Sequence, residues 1–334
     1  FTFINEVAPA LGFTADSVTM VVMPLFHIAG SGWSLVGMAL GGKFVLMREV
    51  DPAAIVPALA EHRVTHTLFV PAVLQFLLMV PGVRETDFSR LELIVYGASP
   101  ITSAVLQEAI EVFGCGFAQM YGLTETTGAV VQLDPVDHDP KGKPELLRAA
   151  GKPYPWVELR IVDPAAVDDV PEGEVGEIWI RSVQVMKGYW DKPDDTAKAL
   201  DADGWFRSGD LGYMRGEYLF LHDRVKDMIV TGGENVYPAE VENALMAHPD
   251  IADVAVIGVP DERWGEAVKA IVVKAEGTDP TPDAIIAFAR EHVGGFKVPK
   301  TVDFIDALPR NPSGKILKKD LREPYWAGKE RRIN

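Results

Sequence analysis

A chain of 334 residues with 48% hydrophobic and 24% charged side chains has the makeup of an ordinary globular protein, long enough for two domains. Its formal net charge of −16 excludes a general nucleic-acid binder, because no basic stripe would overcome that field. Its one cysteine, Cys115, excludes an internal disulfide framework, and no run reaches the ~18 apolar residues that a spanning helix requires. These features predict a cytoplasmic protein, with peripheral membrane contact and a homodimer left open. The chain begins with Phe1 and lacks the basic start of a signal peptide, so it reads as a fragment or a processed product.

Short apolar runs at residues 18–24, 43–47, 66–70 and 92–96 read as buried strands. Between them, Pro24-Leu25-Phe26-His27 leads into a glycine-rich helical stretch at residues 30–40. Asp51-Pro52 is a cap and first-turn signal for a helix running to about His62. Residues 101–113 carry apolar side chains at helical spacing, with Gly114 as the stop and Cys115 as a small buried hydrophobe. Strands alternating with helices imply a parallel sheet and an α/β fold. Residues 134–155, rich in Pro, Asp and Lys, read as a long surface loop. Residues 157–162 and 176–181 then alternate like strands of a small sheet or barrel. After Asp223 a compact set of strands, with helices at residues 238–247 and 282–292, suggests a small α+β lid. The boundary falls at residues 224–226, giving an incomplete large domain over 1–223 and a mobile C-terminal domain over 224–334.

Several short segments carry chemistry. Gly97-Ala98-Ser99-Pro100 closes a strand and opens a helix; small residues there let a flat ligand approach the backbone, and helix amides are free to meet it. An ordinary strand–helix turn has the same makeup. In Gln119-Met120-Tyr121-Gly122-Leu123-Thr124-Glu125, which follows the next strand, an aromatic ring can stack on a purine, a hydroxyl can bond a phosphate and a carboxylate can hold Mg²⁺. Thr-Glu pairs also start helices. Trp205-Phe206-Arg207-Ser208-Gly209-Asp210 ends a strand-like run in a carboxylate able to accept both hydroxyls of a ribose. Gly232-Gly233-Glu234-Asn235 is either a hairpin turn or a passage kept open for a slender ligand. Finally, Pro309-Arg310-Asn311-Pro312-Ser313-Gly314-Lys315-Ile316-Leu317-Lys318 is a tight, exposed loop with a lysine at its tip, able to reach into a cleft and neutralise developing charge. The histidines other than His27 are scattered, without zinc-ligand spacing.

In this order the motifs, with Asp223-Arg224-Val225-Lys226, resemble those of the adenylate-forming superfamily, most closely its acyl-CoA synthetase (fatty-acid–CoA ligase) branch, over essentially the whole chain. The resemblance implies ATP, Mg²⁺ and coenzyme A as ligands, with a small carboxylic acid as substrate. It assigns Lys315, Thr124 and Glu125 to catalysis, Thr124 to the α-phosphate and Glu125 to the metal. Gly97, Ala98, Ser99, Gln119, Met120, Tyr121 and Gly122 would surround the adenine, Tyr121 by stacking, and Asp210, supported by Arg224, would hold the ribose. His27, Val70, Gly97 and Gly122 would line the acyl pocket, Lys226 would be the hinge, and Gly232, Gly233 and Glu234 would receive coenzyme A.

The superfamily's amino-acid-activating members place an aspartate near His27, where this chain offers no counter-charge, so a neutral acyl group is implied. The apolar runs at residues 33–40 and 70–78 lean towards a medium or long chain. The superfamily's glycine- and serine-rich phosphate loop is absent from these 334 residues, which implies that they do not turn over by themselves. Two alternatives stand beside an acyl-CoA synthetase: a degenerate nucleotide-binding module, and an adenylating domain that loads a carrier protein.

Overall fold

The structure, a computed structural model, describes residues 2–99, 101–164, 166–311 and 314–328; Pro100, Pro312 and Ser313, which belong to the motifs above, lie outside them. The first half alternates helices and strands: α1 (Thr2–Ala10), β1 (Val18–Val21), α2 (Ile28–Ala39), β2 (Lys43–Leu46), α3 (Pro52–Glu61), β3 (His66–Phe69), α4 (Pro71–Leu78), β4 (Leu93–Gly97), α5 (Ser103–Phe113), β5 (Gly116–Leu123), β6 (Gly128–Leu133) and β7 (Lys152–Pro153). They form a seven-stranded sheet in the order β2-β1-β3-β4-β5-β6-β7, parallel from β2 to β5 and antiparallel beyond. Local chemistry sets the helix ends. Asp51 accepts from the Ala53 amide at 3.0 Å before Pro52, and Gly114 ends α5 in the left-handed region at φ 60°. Apolar clusters cover both faces of this sheet: Phe69, Leu74, Ile94 and Phe117 belong to one, Val95, Ala118, Val130 and Val131 to the other.

A second sheet, antiparallel and four-stranded in the order β11-β10-β9-β8, is built from β8 (Val157–Val162), β9 (Gly176–Ser182), β10 (Phe206–Arg215) and β11 (Tyr218–Arg224), with α6 (Pro193–Ala199) beside it. Val157, Ile161, Ile178, Ile180 and Phe206 join one of the clusters on the first sheet, so the two sheets share a core. The third layer follows Arg224. It comprises β12 (Ile229–Thr231), β13 (Glu234–Val236), α7 (Pro238–Leu245), β14 (Ile251–Asp261), β15 (Gly265–Lys274), α8 (Pro282–His292), β16 (Thr301–Phe304) and α9 (Lys318–Trp326), with its own apolar core. No helix among the described residues is long and apolar enough to cross a membrane.

Four expectations change. Helix α5 is capped by Thr102, whose hydroxyl accepts from the Val105 amide at 3.3 Å, so it starts at Ser103, and Gly97 ends β4 without opening a helix. Residues 119–123 lie within β5 rather than after it. Asp210 sits in the middle of β10, because that strand continues to Arg215. Residues 134–155 are a packed segment: the 3₁₀ turn Pro144–Arg148 and the residue after it bury Leu146, Leu147 and Ala149, and an apolar face of this kind cannot stay on the surface. Cys115 is half-buried, and burial pushes its thiol up to about 12, consistent with an inert packing residue.

Candidate active site

Strand register assembles the centre of the site. Antiparallel pairing sets Asp210 of β10 opposite Arg224 of β11, and Arg224 Nε lies 3.1 Å from Asp210 Oδ1. From the far end of β5, Tyr121 donates its hydroxyl to Asp210 Oδ2 at 2.9 Å. Burial raises the Asp210 carboxyl above its ordinary value while Arg224 and Tyr121 pull it down; burial, with the Asp210 charge next, drives Tyr121 well up. Each carboxylate oxygen meets one of these two partners, which leaves lone pairs for the two hydroxyls of a sugar. The hydroxyl of Tyr121 is thus engaged with Asp210, and its ring is buried.

Beside this cluster two glycines let strand backbones pack closely. A Cβ at Gly97 would lie 2.1 Å from the Met120 carbonyl oxygen, and one at Gly122 would lie 2.0 Å from the Gly128 carbonyl oxygen. Ala98 follows in the left-handed region at φ 68°, a conformation that costs an L-residue about 1–2 kcal/mol. Ala98 is exposed and Ser99, Gln119 and Met120 are half-buried.

Thr124 and Glu125 stand in the turn that joins β5 to β6, not at a helix start, because Thr126 inside the turn spends its hydroxyl on the Gly128 carbonyl at 2.7 Å and closes a hairpin. Thr124 is exposed; Glu125 Oε1 accepts from the Tyr189 hydroxyl at 2.9 Å. Among the described residues no group of three or more His, Cys, Asp or Glu could hold a metal ion. A Mg²⁺ ion carried by phosphates and water needs one or two protein carboxylates, and Glu125 fits that requirement.

Lys315 comes from the segment that follows β16 in the third layer. It is half-buried on the returning limb of its loop, held by Asn311, whose Oδ1 accepts from the Lys315 amide at 2.9 Å, rather than carried at an exposed tip. Burial, then the positive field of Arg224, pushes its ammonium down to about 8, with Asp210 acting in the opposite direction. Its neighbour Gly314 comes close to the first sheet: a Cβ there would lie 3.7 Å from Val70 and Ala72 at the head of α4. Val70 is buried, and His27, half-buried, caps α2 by accepting from the Ala29 amide at 3.2 Å.

Three ion pairs, none foreseen from the sequence, fasten the lysine segment to the third layer. They are Arg310–Asp253 at 2.7 Å, Lys318–Glu242 at 2.7 Å and Arg322–Asp227 at 2.8 Å. Arg322 also donates to the Lys226 carbonyl at 3.2 Å, while the side chain of Lys226 is exposed. The only sequence signal for these pairs is the basic run around Lys318 and Arg322, which does not name partners.

The structure thus brings Tyr121, Asp210, Arg224, Lys226 and Lys315 into one electrostatic cluster. Residues 232–235 lie elsewhere, at the exposed apex of the β12–β13 hairpin on an edge of the third sheet, with Gly232 and Gly233 at φ 61° and 87°. The turn alternative therefore describes their local structure.

With this geometry in place the comparisons are decisive for the family. The AMP-binding enzyme family matches residues 2–190, and the AMP-binding enzyme C-terminal domain matches residues 240–315. The chain belongs to the AMP-binding, adenylate-forming enzymes, in their acyl-CoA synthetase branch. It is 43% identical over 325 residues to the fatty acid–[acyl-carrier-protein] ligase ScoC of Streptomyces coeruleorubidus, covering 97% of this chain and 62% of the relative. It is 41% identical over 313 residues to a feruloyl-CoA synthase of an Amycolatopsis species, covering 93% of this chain and 62% of the relative. The chain therefore spans less than two thirds of the length of these relatives. Among solved structures it is similar to ATP-bound MatB from Rhodopseudomonas palustris, with a TM-score of 0.89, 31% identity and coverage of 98% and 64%. Against the apo form of MatB the TM-score is 0.74.

Proposed function

We propose that the protein to which this chain belongs activates a carboxylic acid, by preference a medium- or long-chain fatty acid, and passes it to coenzyme A. The carboxylate attacks the α-phosphorus of ATP, giving acyl-AMP and pyrophosphate; the thiol then displaces AMP to give the thioester. One observation carries the reading: Lys315 shares a charged cluster with Asp210 and Arg224 while the adjacent Gly314 stands beside Val70. A cation between a sugar-binding carboxylate and an apolar wall is where an acid would meet an α-phosphate.

In this reading Asp210 holds the ribose hydroxyls and Arg224 keeps its charge in place. Gly97, Ala98, Ser99, Gln119, Met120, Tyr121 and Gly122 form the adenine cleft, in which Gly97 and Gly122 let neighbouring strand backbone pack where a side chain would otherwise stand. Thr124 donates to the α-phosphate. Glu125 would hold Mg²⁺, which when bound screens phosphate charge. Lys315 bridges the carboxylate and the phosphate, where positioning and charge neutralisation lower the barrier. His27 and Val70 stand at the acyl pocket, which carries no ammonium partner. Lys226 is the pivot about which the unit after Arg224 turns, bringing Gly232, Gly233 and Glu234 to coenzyme A; Lys226→Pro in the full-length protein should leave adenylation running while thioester formation falls. Undiminished transfer would place the pivot elsewhere.

A second acceptor has support of its own, since the relative at 43% identity is named for an acyl carrier protein. AMP release by the full-length protein, measured with a panel of acids and with coenzyme A or carrier protein as acceptor, tests both readings. Activation of an α-amino acid in preference to fatty acids would overturn the substrate assignment, and acid-independent AMP release would overturn the reaction.

A further inference from the structure

Beside the proposed adenine cleft, two buried side chains that the mechanism above does not use, Tyr96 and His138, form a relay with the half-buried Gln119. Tyr96 of β4 and Gln119 of β5 are register partners, and the Tyr96 hydroxyl lies 3.2 Å from Gln119 Oε1. The same hydroxyl lies 3.0 Å from His138 Nε2, and His138 Nδ1 lies 2.9 Å from the Asp134 carbonyl oxygen. Tyr96 and His138 are both buried.

Counting protons fixes the direction of this chain. A carbonyl oxygen only accepts, so His138 Nδ1 must carry the proton and donate to Asp134. Burial holds the His138 ring below its ordinary value, hence neutral, so Nε2 is a bare acceptor and the Tyr96 proton goes to it. That proton is then not available to Gln119. An amide oxygen facing a hydroxyl oxygen with no proton between them is unfavourable. A half-turn of the amide instead points its NH₂ at the Tyr96 oxygen, and the hydrogen-bond network is what decides between the two orientations. Gln119 makes no other side-chain hydrogen bond among the described residues, so its oxygen is left for a ligand.

We infer that His138 and Tyr96 are positioning residues that lock the Gln119 amide with its oxygen towards the cleft, so that the site selects a purine bearing an amino group at C6 over one bearing an oxo group. The inference rests on the reading of this cleft as a nucleotide site. An acceptor at that place pairs with the 6-amino group of adenine and opposes the 6-oxo group of hypoxanthine. The relay makes a prediction that mere packing does not. With His138 replaced by Phe, the Tyr96 proton returns to Gln119 Oε1, the amide turns over, and its NH₂ faces the cleft. With Tyr96 replaced by Phe, neither orientation is held.

The test is the binding of AMP and IMP, by calorimetric titration, to the unaltered chain, to His138→Phe and to Tyr96→Phe, with melting curves on each. The unaltered chain should favour AMP over IMP by on the order of tenfold or more, the discrimination expected from one well-placed hydrogen bond against one repulsive contact. Tyr96→Phe should erase the preference, and His138→Phe should shift it past parity towards IMP. If both variants weaken AMP and IMP in parallel, with the ratio unchanged, the relay has no part in selection and the inference is overturned. If folded, unaltered chain binds neither nucleotide, the nucleotide reading of the cleft fails and takes the inference with it. Binding of AMP and IMP with equal affinity removes the inference alone.

Discussion

The two halves of the candidate site are held in different ways. Tyr121, Asp210 and Arg224 are fixed by strand register within sheets that share a core, so the carboxylate is placed before any ligand arrives. Lys315 belongs to a segment pinned by three ion pairs to a layer with a separate core, and it meets the carboxylate only because that layer docks as it does. One half is built in place and the other is delivered. In the proposed reaction, a cation that has to serve at one moment and withdraw at another would be better carried by a layer able to move than by the sheet proposed to hold the nucleotide.

The largest effect should come from cutting the fastening. Lys318→Met leaves the mostly enclosed Glu242 carboxylate opposite an apolar side chain, and breaking such a pair costs up to about 3–5 kcal/mol, the value for full burial. Denaturant unfolding should show that loss in the third layer, and adding Glu242→Gln should recover most of it. An unchanged midpoint would mean that the segment is not held by this pair. Next, Lys315→Ala in the full-length protein should lower adenylate formation by on the order of 10²–10³ while sparing thioester formation from supplied acyl-AMP. Equal loss in both half-reactions would erase the division between the built and the delivered halves.

A smaller effect is set by pH. Lys315, pushed down to about 8, carries its charge below that pH and loses it above, so the adenylation rate at low ATP should fall towards tenfold per pH unit on the alkaline side. Lys315→Arg, which stays charged, should lack this limb at whatever residual rate it retains. Stability moves in the opposite sense. Between about 8 and the ordinary lysine value of 10.5, the unfolded chain holds the proton that the folded chain has released, so this group favours folding more as pH rises. The smallest step is expected along a saturated fatty-acid series, where affinity should rise by up to ~0.8 kcal/mol per buried CH₂ until the pocket is full. A flat series would remove the apolar wall beside Gly314 from the comparison.

Much of the fold was legible because local chemistry and tertiary packing agree. Asp51-Pro52 starts α3 and Gly114 stops α5 where the residue types say they should, and alternation at residues 157–162 and 176–181 marks two strands of the second sheet. The misreadings arose where packing overrode composition. Residues 134–155 look like a surface loop in composition, yet Leu146, Leu147 and Tyr154 find a core that only the assembled sheets provide. Within the site, Asp210 and Arg224 were readable as residue types, but their pairing is a matter of register between two strands, which spacing along one chain does not encode. The partners of Arg310, Lys318 and Arg322 lie at least 57 residues away in sequence, and so did not show.

The close strand packing at Gly97 and Gly122 has a consequence for how such a cleft can change. Backbone oxygens already stand 2.1 and 2.0 Å from where the first carbon of any side chain would go, so no other residue type fits without moving a strand. Heritable variation at these two positions is therefore closed off, whatever ligand is at a premium. Retuning of what the proposed cleft accepts, by drift or by design, would have to come from side chains, such as His27 and Val70 proposed for the acyl pocket, and a mutational library that spares the two glycines loses nothing it could have used.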